Sequence, residues 1–378
     1  MKKLLLLAIV FFIFFGLFLI PKRVNLPKDP NSYITEKIKA CNDQGGATQC
    51  LKDTTGDFMR NFQLKEILDV FEKNESAPEF FAQCHTALHF LGQGIYRKEK
   101  NVQEGIQMCS SVCFWACQHG VLEGYLKERN LSLDDDEVLK KEVLTLCQKD
   151  DREAKASFNE CLHGLGHALM FFTQGELPRS LRICDGLKNS GERDWCYSGV
   201  FMENSTSSTN KDHPSKYLKA DDLMYPCNTL ENKYLNMCYA LQGFYFAKIS
   251  NYEVQKTIAL CNQVPVDYRF YCFHSIGQER VGFTQNPAVM KDGCNQIEVE
   301  EDRNACIQGV IGTLAERYKG DHKKIIEFCG VLEKEDKTLC YQQLKTVMTN
   351  WITNSDELKK ICEEIKEESF KKECLNAS

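Results

Sequence analysis

Residues 261–272 read CNQVPVDYRFYC, residues 294–306 CNQIEVEEDRNAC and residues 329–340 CGVLEKEDKTLC. Each stretch is bounded by two cysteines 11 or 12 positions apart. Cys184/Cys196, Cys227/Cys238 and Cys362/Cys374 extend the series, and the second cysteines at 238, 272, 306, 340 and 374 are spaced by 34. A fixed period of that size signals an array of helix pairs, in which each unit buries its apolar face only against its neighbours.

The register runs backwards with looser spacing through Cys147/Cys161, Cys109/Cys117 and Cys41/Cys50, which leaves Cys84 to Cys113. Ten disulfides then use all 20 cysteines: Cys41–Cys50, Cys84–Cys113, Cys109–Cys117, Cys147–Cys161, Cys184–Cys196, Cys227–Cys238, Cys261–Cys272, Cys294–Cys306, Cys329–Cys340 and Cys362–Cys374. Cys84, Cys109, Cys113 and Cys117 lie close enough together to admit other pairings. No cysteine remains as a nucleophile. The C-x3-C at CFWAC (113–117) is not the C-x-x-C of redox catalysts and has no βαβ context, so it reads as structural.

Amphipathic stretches follow the second cysteines: CQHGVLEGYL (117–126), CLHGLGHALMFF (161–172), CYSGVFMEN (196–204) and CIQGVIGTLAERY (306–318). These are A-type helices. Shorter apolar-periodic stretches such as LPRSLRIC (177–184) and KKIIEFC (323–329) end at the next first cysteine and are B-type helices. Each disulfide thus ties the end of a B-type helix to the start of the next A-type helix. A glycine inside a helix costs roughly 1 kcal/mol relative to alanine. Its recurrence at Gly120, Gly164, Gly199 and Gly309 predicts close approach between helices. Gly92-x-Gly94 reads as a helix end. The prediction is all-α: a right-handed α-solenoid of about 34-residue helix pairs.

This disulfide load belongs to an oxidising compartment. The N-terminus suggests how the chain reaches one. Leu4–Ile20 is a run of 17 uncharged, apolar residues between Met1-Lys2-Lys3 and Pro21-Lys22-Arg23, without a small-x-small cleavage site. Residues 1–24 are read as an uncleaved signal anchor, 25–35 as a linker and 36–378 as the repeat domain, periplasmic or extracellular. Cleavage would make the chain secreted. A net charge of −6, with no basic cluster outside the N-terminus, excludes nucleic acid as a partner. Two segments interrupt the array: a charged one at 126–146 containing Asp134-Asp135-Asp136, and a polar loop at 204–220, NSTSSTNKDHPSKYLKA.

The segment CSSVCFWACQHGVLEGY (109–125) contains C-x7-C followed by a small residue and an aromatic. It resembles the cysteine-rich Sel1-like proteins, a branch of the tetratricopeptide-like helical repeats in which a disulfide ties successive helix pairs. The resemblance covers roughly residues 36–378 in architecture and implies a protein- or peptide-binding role. The Sel1 glycine-rich turn is missing from most units.

The histidines fall into this register. Two positions after the second cysteine, and four further on, stand His119 and Glu123, then His163 and His167. The preceding A-type helix offers His85 and His89, and His85 lies 34 before His119. Residues four apart share a helix face, so three successive helices present HxxxH, HxxxE and HxxxH side by side. Imidazole and carboxylate together suit Zn, Fe, Mn or Cu, in a mononuclear or dinuclear site. Along the array the row continues as Ser198/Met202, Ala240/Phe244 and His274/Gln278, with Glu203 and Glu279 beside it. Glu203 and His274 are additional candidates. His213, in the polar loop, and His322, in a charged turn, are not.

Two functions follow. One is a membrane-anchored, extracytoplasmic metal centre capable of metal-dependent hydrolysis or oxidation; the dinuclear-iron hydroxylase built on HEAT repeats is its architectural analogue. The other is a non-catalytic scaffold binding a protein or peptide on the concave face.

Overall fold

The computed structural model describes residues 29–43, 48–75, 77–128, 136–148, 155–206 and 215–377. Residues 1–24, read above as a signal anchor, and His213 lie outside them. The described residues form 19 α-helices and no strand. None of these helices is long and apolar enough to cross a membrane.

In chain order the helices are α1 (Pro30–Asp43), α2 (Thr48–Asn61), α3 (Leu64–Asn74), α4 (Pro78–Glu99), α5 (Val102–Met108), α6 (Ala116–Glu128), α7 (Asp136–Val143), α8 (Lys155–Phe172), α9 (Leu177–Cys184) and α10 (Ser190–Thr206). After a 3₁₀ turn at Cys227–Thr229 come α11 (Asn232–Ile249), α12 (Val254–Cys261), α13 (Val266–Phe283), α14 (Pro287–Asn295), α15 (Glu300–Arg317), α16 (His322–Val331), α17 (Lys334–Met348), α18 (Ser355–Glu363) and α19 (Glu368–Asn376).

The longer A-type helices pack in succession: α2 on α4, then α6, α8, α10, α11, α13, α15, α17 and α19. The short B-type helices flank this row and bury one stripe each, as α9 does with Leu177, Leu181 and Cys184. Ten disulfides join the cysteine doublets, Cys84–Cys113 and Cys109–Cys117 among them. No cysteine is free. Ten intramolecular disulfides suggest an oxidising, extracytoplasmic environment.

Most A-type helices begin earlier than the cysteine register implies, α6 with Cys117 as its second residue being the exception. Cys161 is the seventh residue of α8 and Cys196 the seventh of α10. The staple therefore clasps the second turn of the helix rather than its start. The charged segment 126–146 is likewise partly helical, since α6 runs to Glu128 and α7 supplies a B-type helix within it. Gly92 does not end a helix: α4 continues to Glu99.

Glycines set the spacing of the row. A Cβ on Gly92 would overlap the Cys117 carbonyl, and one on Gly120 the His89 carbonyl, so α4 and α6 touch backbone to backbone. The same reciprocal contact joins α8 and α10 through Gly166 and Gly199, and α13 and α15 through Gly277 and Gly309. Gly164 faces the His119 ring instead. A-type helices end in a repeated turn with left-handed residues at Gln174-Gly175, Asn251-Tyr252 and Lys319-Gly320. In each, the second residue donates to the carbonyl five positions back, at 2.8, 2.7 and 2.8 Å, closing the helix end.

The row also bends back on itself. Lys319, after α15, reaches Glu72 at 2.8 Å and Glu75 at 3.4 Å at the end of α3. The Ala156 amide at the start of α8 donates to the Asn350 carbonyl at 3.0 Å. These contacts bring the late helices against the early ones and enclose the side chains of α4, α6 and α8 that point inward.

Candidate metal centre

Five histidines from three helices meet in that enclosure. His85 and His89 come from α4, His119 from α6, and His163 and His167 from α8. The His119 ring centroid lies 5.4 Å from those of His89 and His163 and 5.6 Å from those of His85 and His167. The nearest ligand atoms of His85, His89 and His119 lie within 4.8 Å of one another. His119 is 0% exposed, and neither of its ring nitrogens has a hydrogen-bond partner.

Each of the other four rings is held from behind through Nδ1. His85 Nδ1 donates to the Cys113 carbonyl at 2.9 Å. His89 Nδ1 faces Glu123 Oε1 at 2.6 Å, and Gln93 holds the other Glu123 oxygen at 2.8 Å. His163 Nδ1 faces Ser198 Oγ at 2.7 Å, and His167 Nδ1 faces Glu203 Oε2 at 2.9 Å. The Ser198 hydroxyl donates to the Trp195 carbonyl at 2.7 Å, so toward His163 it accepts. Carbonyl, carboxylate and committed hydroxyl all require a proton on Nδ1. The Nε2 lone pairs are thereby turned inward.

They face each other in pairs, His85 against His89 at 3.0 Å and His163 against His167 at 3.1 Å. Two lone pairs at that distance repel unless a proton or a metal ion lies between them. Burial pushes His85, His119 and His163 well below the usual imidazole range, and the neighbouring histidines push in the same direction. Burial also opposes a proton on His89, yet Glu123 in contact and Glu203 beyond it outweigh burial and raise its pKa. Of the first pair, His89 is thus the ring that takes a proton more readily and His85 the ring that stays neutral. Imidazoles backed by carboxylates through Nδ1 are the usual support of metal-bound histidine.

The Cys113 carbonyl is placed at a conformational cost. Cys113, Phe114 and Trp115 carry φ of 54°, 57° and 57° in succession, the left-handed region that non-glycine residues avoid by roughly 1–2 kcal/mol each. Two disulfides bracket this turn, and Glu75 accepts from the Cys113 amide at 3.1 Å. Strain of this kind persists only where the surroundings over-determine it, and it clusters at functional sites. No known protein family, no curated protein and no solved structure matches the chain.

Glu160 is the residue that the cysteine register passes over, because it precedes Cys161. It lies one turn before His163 on the same face of α8, and its Oε2 stands 3.6 Å from His119 Nε2. Its signal is the Glu-x-x-His spacing of carboxylate-histidine metal helices. The row loses this chemistry further on. Ser198 and Glu203 of α10 act as the Nδ1 acceptors, while Met202 packs with the core. His274 on α13 packs its ring against Phe270 at 6.0 Å, and burial lowers its pKa to about 4. His322 faces Glu364 at 3.1 Å, away from the cluster.

Proposed function

We propose that this chain is an extracytoplasmic metalloprotein, a right-handed α-solenoid tethered by residues 1–24, whose active group is a transition metal held by the histidine cluster. The supporting observation is the inward pairing of four Nε2 lone pairs, each fixed by an acceptor on Nδ1, around the unpartnered ring of His119. All the cysteines are in disulfides, so the ligands are nitrogen and oxygen. Imidazole suits Zn, Cu and Fe, and carboxylate extends the range to Mn.

Bound there, the ion would supply Lewis acidity or redox capacity for hydrolysis or oxidation. The chain's residues fix the rings and shield them from bulk water. His89 keeps a side-chain exposure of 12%, against 1% for His119 and 5% for His167, so the α4 side is the more open side of the cluster.

Elemental analysis of untagged, dialysed protein tests this reading. After exposure to Zn, Fe, Mn and Cu in turn, the wild type retains metal, and the His163→Ala/His167→Ala and His85→Ala/His89→Ala variants retain less. His274→Ala retains as much as the wild type. A wild type that stays metal-free with all four ions would leave the peptide-binding scaffold as the better account.

A further inference from the structure

The donor set is larger than one ion needs, and it divides. On one side are His85 and His89 of α4. On the other are His163, His167 and Glu160, spaced E-x-x-H-x-x-x-H along one face of α8. His119 lies between, with its ligand atom near those of His85 and His89 and its Nε2 3.6 Å from Glu160. We propose that the cluster holds two first-row transition-metal dications, the second bound by Glu160, His163 and His167, with His119 lying between the two positions. This proposal rests on the metal-centre reading above and extends it to a dinuclear centre with a carboxylate ligand.

Three observations carry it. The first is spacing. Ligands bound to one ion at about 2.0–2.1 Å stand roughly 2.9–3.4 Å apart, for angles between right and tetrahedral. The His163–His167 nitrogen pair stands at 3.1 Å, and the His119–Glu160 pair at 3.6 Å, slightly beyond that range. The second is locking. Ser198 and Glu203 hold His163 and His167 with their lone pairs inward before any ion arrives, so little ordering is left for binding to accomplish.

The third is charge. Glu160 is 8% exposed, and no lysine or arginine among the described residues pairs with it. The group facing it from α15 is a second acid, Glu316. A buried carboxylate beside the inward lone pairs of His163 and His167, with no cationic side chain paired to it, is a donor set that suits a metal cation.

The test is a titration of the chelator-treated full chain with Co(II), followed by visible absorption and by the bound Co remaining after gel filtration. Two equivalents per chain are expected. Glu160→Gln and His163→Ala each bind one, while His85→Ala/His89→Ala binds one at the α8 position. Circular dichroism before titration confirms that each variant is folded, and Glu160→Asp should recover the second equivalent in part. Saturation of the wild type at one equivalent, unchanged in Glu160→Gln, would overturn the second position while leaving a mononuclear centre. Zero equivalents would overturn the metal reading itself.

Discussion

Helices α8 and α13 hold equivalent places in the array and share a plan. Each is 18 residues long, and each is stapled to the segment that ends the preceding B-type unit, by Cys147–Cys161 and Cys261–Cys272. Each meets its successor through a glycine whose Cβ would overlap a cysteine carbonyl, Gly166 against Cys196 and Gly277 against Cys306. They differ in the inward row. α8 carries Glu160, His163 and His167, with every Nδ1 backed by an acceptor. α13 carries His274 and Gln278, with Phe270 against the imidazole. One scaffold rule, cysteine and glycine, is thus kept along the chain while the chemistry on the same face is confined to the first half. In a nearest-neighbour array this separation costs little, since each helix need only match the helices beside it.

Reduction should produce the largest effect, and it should treat both regions alike. Seven of the ten staples close a loop of 11 to 14 residues, worth roughly 3 kcal/mol each in the chain-entropy account. Scanning calorimetry with and without a phosphine reductant should show the cooperative melt fall by tens of degrees or vanish. A melt unchanged on complete reduction would remove the disulfides from the account of stability.

Next in size is the glycine contact. Gly166→Ala and Gly277→Ala each force two helix backbones apart, at a cost of about 3 kcal/mol. Gly312→Ala, where a Cβ meets nothing, should be neutral or stabilising by up to about 1 kcal/mol. Urea unfolding checks this. A loss at Gly166 without one at Gly277 would make the close approach a property of the site rather than of the fold.

Metal should separate the regions. An ion at 100 times its Kd stabilises the folded chain by about 2.7 kcal/mol. That gain should shrink in His163→Ala, which keeps only the position at His85 and His89, and persist in full in His274→Ala, as read by the shift in Tm on adding Zn.

The smallest effect is in pH. His274 has a pKa of about 4 in the folded chain, against about 6.5 when unfolded. As pH falls from 6.5 to 4 the unfolded chain takes a proton that the folded chain refuses, so stability declines through that window. Glu279 and Glu316, lifted to about 7 by burial, act in the opposite sense, favouring the fold as pH falls. Their contribution is common to wild type and His274→Gln. The slope of stability with rising pH, measured on metal-free protein between pH 4 and 6.5, should therefore be less positive in the variant by up to one proton. Equal slopes would mean that His274 is not buried as a neutral ring.

The ladder of helix pairs is plain in the sequence because a 34-residue period in cysteine is hard to produce by other means, and the structure joins those same doublets. Helix starts are much less plain. α11, α13, α15 and α17 follow Glu231, Pro265, Val299 and Glu333, none of which caps the helix through its side chain, so the usual Ser, Thr, Asp or Asn signal is missing. The histidine row is legible once the cysteines set the register. Its supports are legible only in part. Glu123 shares the row, but the Cys113 carbonyl is a backbone atom placed by a left-handed turn, and Ser198 matters through a hydroxyl already committed to Trp195. The closure of the array depends on Lys319 meeting Glu72, 247 positions away, and no local pattern encodes such a pair.

The most direct test of the central claim is anomalous diffraction from crystals of the untagged protein grown with Zn, collected on both sides of the zinc absorption edge. The account predicts a strong peak bounded by His85, His89, His119, His163, His167 and Glu160, present above the edge and absent below it. A clear protein map with ordered imidazoles at these positions, no anomalous peak among them, and hydrogen bonds satisfying every Nε2 would contradict it.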